Sequence, residues 1–295
     1  MQAKTKEEAM SDSTIRLGLI GDNISRSQSP RLHVLAGRLC GLDVTYERLI
    51  PADRGEDFET VFDRCLVEGF RGINITYPYK ERAVPRLAVR DPAIAAIGAC
   101  NSVVFDNTPP SGYNTDYTGF VSAFRESFPG ASPGTVAIAG AGGVGKAVAF
   151  GLAALGCERL LIFDRDTARA DALLSSLRAA RVEMPVEIVR SIEEAAAEAD
   201  GLVNCTPLGM VGYAGSAIPR AVIGRQRWAF DAVYTPVETE FLSDARRAGL
   251  SLLTGYELFF HQGIDAFRYF TGADVDAAAL RALLAQPESE ARIPA

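Results

Sequence analysis

The reading of the fold turns on 135-TVAIAGAGGVGKAVAFGLAALG-156. Its first residues are a short apolar run suited to a buried strand, and residues 146–155 take up helical spacing. Between them GAGGVG (140–145) has the form G-x-G-x-x-G. Alone the hexapeptide is weak, because small residues also serve any tight strand-to-helix packing; its place between a strand and a helix is what gives it meaning. In that place Gly140 permits the sharp turn, Gly142 lets backbone approach a pyrophosphate, and Gly145 lets helix meet strand. Ala141, Gly143 and Val144 complete the loop, and the helix N-terminus supplies N–H donors to phosphate.

The next strand, LLIFD, ends in Asp164, 24 residues beyond Gly140. A carboxylate there accepts hydrogen bonds from an adenosine ribose. Beside a ribose 2′-phosphate it would make a like-charge contact, so NAD is the predicted cofactor. Arg165 leaves NADP open, since a guanidinium can pair with a 2′-phosphate; it reads equally well as a solvated surface charge.

Outward from this loop, residues 134–206 alternate strand and helix without interruption: TVAIAG, KAVAFGLAALG, LLIFD, TARADALLSSLRAA, VEIV, SIEEAAAEA, GLVNCT. Repeated βα units of this length imply a parallel sheet covered on both faces. Gly156 stands where a helix C-terminus belongs, and Ser191 with Glu194 has capping-box spacing. Towards the N-terminus, IRLGLI (15–20) reads as a buried strand, helical spacing follows around Leu32–Leu39 and over 57–68, and GINIT (72–76) reads as another strand. Glycines and prolines around 109–134 mark a boundary between lobes. The expected class is α/β with two lobes: an N-terminal α/β substrate domain and a Rossmann-like, doubly wound dinucleotide domain.

Composition narrows the function. The chain has 295 residues, 48% of them hydrophobic, enough for two cores. A net charge of −7 with no basic segment argues against nucleic acid and anionic membrane as partners, while a small anionic substrate can still be held locally. Five scattered cysteines without a CxxC pair read as reduced thiols in a cytoplasmic protein, and the isolated His33 and His261 make a poor metal site, so no metal is expected. The polar residues 1–13 read as a loose tail, the end PESEARIPA as frayed, and Lys146 breaks the most apolar stretch as a membrane span.

The first lobe carries the remaining chemistry. In SRSQSP an extended chain would aim Ser25, Ser27 and Ser29 to one side, where hydroxyls can hold a carboxylate without a dedicated arginine; the plain alternative is a turn with a serine N-cap. In GINITYPYK (72–80), Ile73 and Ile75 should face the core, leaving Asn74 and Thr76 on the opposite face. Pro78 stops strand pairing and suits a first helical turn, which places Lys80 near the sheet edge. Lys80 reads as a surface lysine, or as a proton carrier half-buried among Tyr77, Tyr79 and a polar cleft. GACNSVV sets Asn101 before an apolar strand, and GYNTDYTGF sets Asn114, Thr115 and Asp116 in a turn. Singly these are turn formers and caps. Together they suit a polyhydroxylated acid whose hydroxyl gives up a hydride to nicotinamide.

These motifs in this order resemble the shikimate dehydrogenase family, including its quinate/shikimate dehydrogenase branch. The resemblance rests on SRSQSP, NITYPYK, GACNS, GYNTD, GAGGVG, NCTPLGM, YTPVETEFL and HQGIDAFRYFTG, spread over nearly the whole chain. It implies reversible oxidation of shikimate to 3-dehydroshikimate. It also implies that Ser27 and Ser29 hold the substrate carboxylate, that Asn74, Thr76, Asn101 and Gln262 grip the ring and hydroxyls, and that Tyr234 approaches the substrate. Lys80 and Asp116 would form the catalytic pair, with Lys80 as acid/base; Thr206, Met210 and Gly255 would line the nicotinamide end of the cofactor site. The implied domains are 14–117 with 256–290 for substrate and 118–255 for dinucleotide, closing over the hydride path. The stretch Asp164-Arg165-Asp166 stands where common biosynthetic members carry Asn-Arg-Thr, which resembles the NAD-preferring branch. Arg26 and Val34 replace residues often seen as His and Asn. Ser29, where some quinate-using relatives carry Thr, favours shikimate, with quinate as the further substrate.

Two readings compete with this one. A non-catalytic nucleotide or metabolite sensor would lack a proton carrier, whereas Lys80 and Asp116 are both present. A dehydrogenase for an aminated shikimate analogue would differ by one or two hydrogen bonds. A monomer or homodimer suits either.

Overall fold

The computed structural model describes residues 14–287. The tail expected at 1–13 and the frayed end expected beyond 287 lie outside the described residues. The chain divides into two compact units. Among the described residues, one holds 14–90, Cys100–Tyr113 and 263–287; the other holds Asp91–Ala99 and Asn114–Gln262.

The first unit is built on a five-stranded sheet of β1 (Ile15–Ile20), β2 (Val44–Leu49), β3 (Gly72–Ile75), β4 (Ser102–Val104) and β5 (Ser111–Tyr113), in the order β2-β1-β3-β4-β5. β1 pairs in parallel with β2 and β3; β4 and β5 add as antiparallel strands. Alternation puts Ile20, Leu49, Ile73, Ile75 and Val103 into one apolar core with Phe58 and Phe62 of helix Phe58–Val67.

The second unit carries six strands, β6 (Thr135–Ala139), β7 (Arg159–Phe163), β8 (Val186–Ile188), β9 (Gly201–Asn204), β10 (Trp228–Asp231) and β11 (Ser251–Leu253), all parallel, in the order β8-β7-β6-β9-β10-β11. This is the doubly wound order 3-2-1-4-5-6. Residues of one strand alternate between two cores. Val136, Ile138, Leu160, Ile162, Val203 and Phe230 face one, and Ala137, Ala139, Leu161, Leu202 and Ala229 face the other. Burial on both faces is why these strands read as unbroken apolar runs.

Helix Thr115–Ser127 packs on helix Gly143–Ala154, where a Cβ on Gly151 would meet the Phe120 ring at 2.7 Å. That packing groups residues 114–117 with the second unit, and 256–262 of helix Gly255–Thr271 group with it as well. All five cysteines are free. Burial pushes the Cys65, Cys100 and Cys157 thiols up to about 12, which makes them poor nucleophiles. Among the described residues no helix is long and apolar enough to cross a membrane.

Candidate active site

In the second unit the glycine loop closes β6 onto helix Gly143–Ala154. Gly140 has φ +100°, and a Cβ there would lie 2.8 Å from the backbone of Cys205. A Cβ on Gly145 would lie 2.1 Å from the Gly140 carbonyl oxygen. A Cβ on Gly142 would meet nothing within 4 Å, and Gly142 is an N-cap with no side-chain hydrogen bond. The helix therefore opens with N–H groups that no cap satisfies, beside a loop shaped for close approach.

The loop is tied to Asp164. One carboxylate oxygen accepts the Ala141 N–H at 2.7 Å, the other the Asp166 N–H at 2.9 Å. Asp166 in turn caps helix Thr167–Ala179. Asp164 thus stands oriented at the C-terminal end of β7, in a groove it shares with exposed Arg165, Thr167 and Arg190 and half-buried Ile188. Arg190 was not singled out from sequence, since it lies 26 residues beyond Asp164 and only the adjacency of β7 and β8 brings it there. Helix N-terminus, glycine loop and oriented carboxylate lie at the C-terminal ends of β6 and β7, beside the β6/β9 switch point where doubly wound sheets bind dinucleotides. These residues fit NAD.

NCTPLGM follows β9. Asn204 holds this turn: its Oδ1 accepts Thr206 N–H at 3.0 Å and Thr206 O–H at 2.7 Å, and its Nδ2 donates to the Leu208 carbonyl at 3.1 Å. The same amide donates to Asp231 Oδ1 at 3.0 Å. Asp231 is fully buried and also accepts Val233 N–H at 3.0 Å and Thr239 O–H at 2.6 Å, so one carboxylate joins the loops after β9 and β10. Burial raises its pKa to about 6 against the opposing hydrogen bonds. Thr206 is partly buried on this network, Met210 is exposed, and Tyr234 stacks on Phe259 at 5.3 Å. Gly255 is buried where a Cβ would lie 2.4 Å from the Val233 carbonyl oxygen, a close approach of helix start to loop.

GYNTD is a helix start rather than a free turn. Asn114 is the N-cap of helix Thr115–Ser127, accepting Tyr117 N–H at 3.0 Å, and Asp116 lies buried in the first turn. The Cys205 thiol is raised by burial and then by the charges of Asp231 and Asp116, which locates Asp116 towards the β9 end. Gln262 accepts from Thr115 Oγ1 at 3.3 Å and donates to the Phe259 carbonyl at 3.1 Å. Nearby, Glu126, Glu257 and His261 bring ligand-type atoms within 4.8 Å of one another, with His261 Nε2 3.3 Å from Glu126 Oε2, a polar cluster that reading His261 as isolated did not foresee.

The first unit brings its own set together. SRSQSP is a turn, not an extended run, because Ser27 N–H closes on the Ile24 carbonyl at 2.9 Å. Ser25 is exposed while Ser27 and Ser29 are buried with hydroxyls 3.1 Å apart. Gln28, the N-cap of helix Ser29–Leu39, makes no side-chain cap bond, and Ser27 Oγ accepts the Ser29 N–H at 3.2 Å at the helix start, so the turn with a serine at the helix entrance is the form adopted. Asn74 is buried on β3: its Oδ1 accepts Tyr46 O–H at 2.8 Å, and its Nδ2 donates to the Asn101 carbonyl at 3.2 Å and to Ser102 Oγ at 2.9 Å. Both donors are used, and the Oδ1 is shared between Tyr46 and the His33 imidazole. Tyr46, absent from the sequence reading, is raised well above the usual phenol range by burial, opposed by a hydrogen bond to Ser29 and the Arg48 charge. Thr76 is half-buried beyond β3, its N–H on the Ile20 carbonyl at 2.9 Å. Pro78 falls in the turn and the short helix Lys80–Ala83 begins at Lys80, whose carbonyl accepts Cys100 N–H at 3.0 Å beside buried Asn101. Lys80 is half-buried; Tyr77 is exposed, and Tyr79 turns away to stack on Phe58 at 4.9 Å and bond Asp22.

Known proteins are similar to the chain along most of its length. Residues 19–103 match the family profile described as shikimate dehydrogenase substrate binding domain, and 123–210 the profile described as shikimate / quinate 5-dehydrogenase. The chain is 41% identical over 279 residues to a quinate/shikimate dehydrogenase (NAD(+)) of Corynebacterium efficiens, covering 92% of this chain and 98% of that protein. It is 34% identical over 270 residues to a shikimate dehydrogenase (NADP(+)) of Pseudarthrobacter chlorophenolicus, covering 90% and 92%. Among solved structures, quinate dehydrogenase from Corynebacterium glutamicum in complex with NAD superposes with a TM-score of 0.86 at 39% identity, covering 91% of this chain and 98% of that one.

Proposed function

The chain belongs to the shikimate dehydrogenase family, and on that premise we propose that it reversibly oxidises shikimate, with quinate as a further substrate, to the 3-dehydro product, using NAD in preference to NADP. The observation that carries the cofactor choice is Asp164, whose carboxylate is held by the Ala141 N–H at 2.7 Å where a 2′-phosphate would need a cation. Relatives are named for either cofactor, so the choice rests on this side chain.

Bound NAD would supply the hydride acceptor; the protein's residues need only hold the substrate and move one proton. Ser27 and Ser29 receive the carboxylate, each hydroxyl giving a charge-assisted hydrogen bond. Asn74, Thr76, Asn101, Tyr234 and Gln262 bind the ring and its hydroxyls. Lys80 takes up the hydroxyl proton as general base and returns it in the reverse direction, with Asp116 as its catalytic partner. The loop residues 140–145, Asp164, Arg165, Thr206, Met210 and Gly255 frame the cofactor site. Residues 14–117 with 256–290 serve as the substrate domain and 118–255 as the dinucleotide domain, in a cytoplasmic monomer or homodimer. The sensor and the aminated-substrate readings have no observation in their favour.

Initial rates with shikimate and quinate against NAD and NADP test this. Shikimate with NAD should be fastest, and Lys80→Ala should lower kcat on the order of 100-fold or more, in line with the usual weight of general acid–base catalysis. A Lys80→Ala enzyme with near-normal turnover would remove the assigned role, and a strong NADP preference would remove the argument from Asp164.

A further inference from the structure

Arg48 brings a positive charge to the face of the first sheet that carries Asn74. Registered residues of parallel strands point to the same side. Leu19 on β1 is in register with both Arg48 on β2 and Asn74 on β3, while the next row, Ile20, Leu49 and Ile75, belongs to the apolar core. Tyr46, two residues before Arg48 on the same strand, shares its face and bonds Asn74. Arg48 Nη2 then reaches off the strand end to donate to the Ser27 carbonyl at 2.8 Å, next to the paired Ser27 and Ser29 hydroxyls. A guanidinium has five N–H donors, and one is used here. Among the described residues no carboxylate pairs with Arg48, in a chain whose net charge is −7.

We propose that Arg48 is a specificity-determining residue of the carboxylate subsite, supplying the charge that the two serine hydroxyls lack. This rests on the function proposed above. Hydroxyls satisfy the lone pairs of a carboxylate but do not offset its charge as it leaves water; a neighbouring cation does. The carboxylate is not altered by the reaction, so the attraction is the same in ground and transition states. Losing it therefore raises KM and leaves kcat alone.

Arg48→Gln keeps the length and polarity of the side chain's start and removes the charge. Because Arg48 is exposed, the expected effect is moderate: KM for shikimate rises about tenfold, equivalent to about 1.4 kcal/mol, with kcat and KM for NAD within about twofold of wild type. Arg48→Lys should recover part of the loss, and methyl shikimate, which carries no charge, should be handled alike by wild type and Arg48→Gln. Two results overturn the proposal alone: an unchanged KM for shikimate in Arg48→Gln while Ser27→Ala raises it, or an equal loss with the methyl ester, which marks packing rather than charge. Failure of wild type to oxidise shikimate, or an indifferent Ser27→Ala, overturns it together with the function on which it rests.

Discussion

A methyl group added at Gly142 and one added at Gly145 are the same chemical change three residues apart, and they should fail in different assays. At Gly145 the new Cβ would sit 2.1 Å from the Gly140 carbonyl oxygen and 3.0 Å from its carbon, with no side chain able to rotate away. Helix Gly143–Ala154 would have to retreat by roughly 1 Å from β6, unseating Val148 and Leu152 from their core; overpacking against backbone of this kind costs about 3 kcal/mol. In a unit of this size that lowers Tm by roughly 6–12 °C. At Gly142 the backbone is already extended (φ −74°, ψ −167°) and the Cβ meets nothing within 4 Å, so the folded state bears no strain and Tm should stay within about 3 °C of wild type. That methyl does stand in front of the uncapped helix N-terminus, where a pyrophosphate must come close, so KM for NAD should rise at least about tenfold, roughly 1.4 kcal/mol, while KM for shikimate changes little. Thermal unfolding and initial rates over a range of NAD concentrations separate the two. A Gly142→Ala enzyme with both Tm and KM for NAD unchanged refutes the placement of the pyrophosphate; a Gly145→Ala enzyme with unchanged Tm refutes the close approach of helix and strand.

Replacing Asp164 with Ser removes a negative charge while leaving Arg165 and Arg190 in the groove, so the NADP-to-NAD ratio of kcat/KM should rise at least about tenfold; an unmoved ratio would show that the carboxylate does not read the ribose. Asp231 has its pKa raised from 3.8 to about 6, so the folded protein holds this proton more tightly than the unfolded chain, and the resulting stability is present below about pH 4 and lost as pH rises through 6. The change is worth about 3 kcal/mol. The unfolding free energy of Asp231→Asn, measured by denaturant at several pH values, should therefore gain on wild type by about that much from pH 4 to pH 7; parallel curves would mean the carboxyl titrates in its ordinary range.

What could be read from the sequence was whatever neighbours along the chain decide. The run of β6, the turn at Gly140 and the helix after it are local, and so are the cap at Ser191 and the alternation that sends Ile73 and Ile75 to the core and leaves Asn74 on the other face. Asp164 was legible because a strand end follows a glycine loop at a regular interval. Where local signals competed, the tertiary structure chose: SRSQSP folds into a turn closed on Ile24, and GYNTD opens a helix because that helix has another to pack on. Residues brought together from distant strands left no trace in the sequence. Asn74 shares its amide among Tyr46, Asn101 and Ser102, Asp231 joins Asn204 to Thr239, and Arg48 meets Ser27, each across a strand order and register that the chain does not spell out. Periodicity along one segment tells which face a side chain takes; only the pairing of strands tells what it will find there.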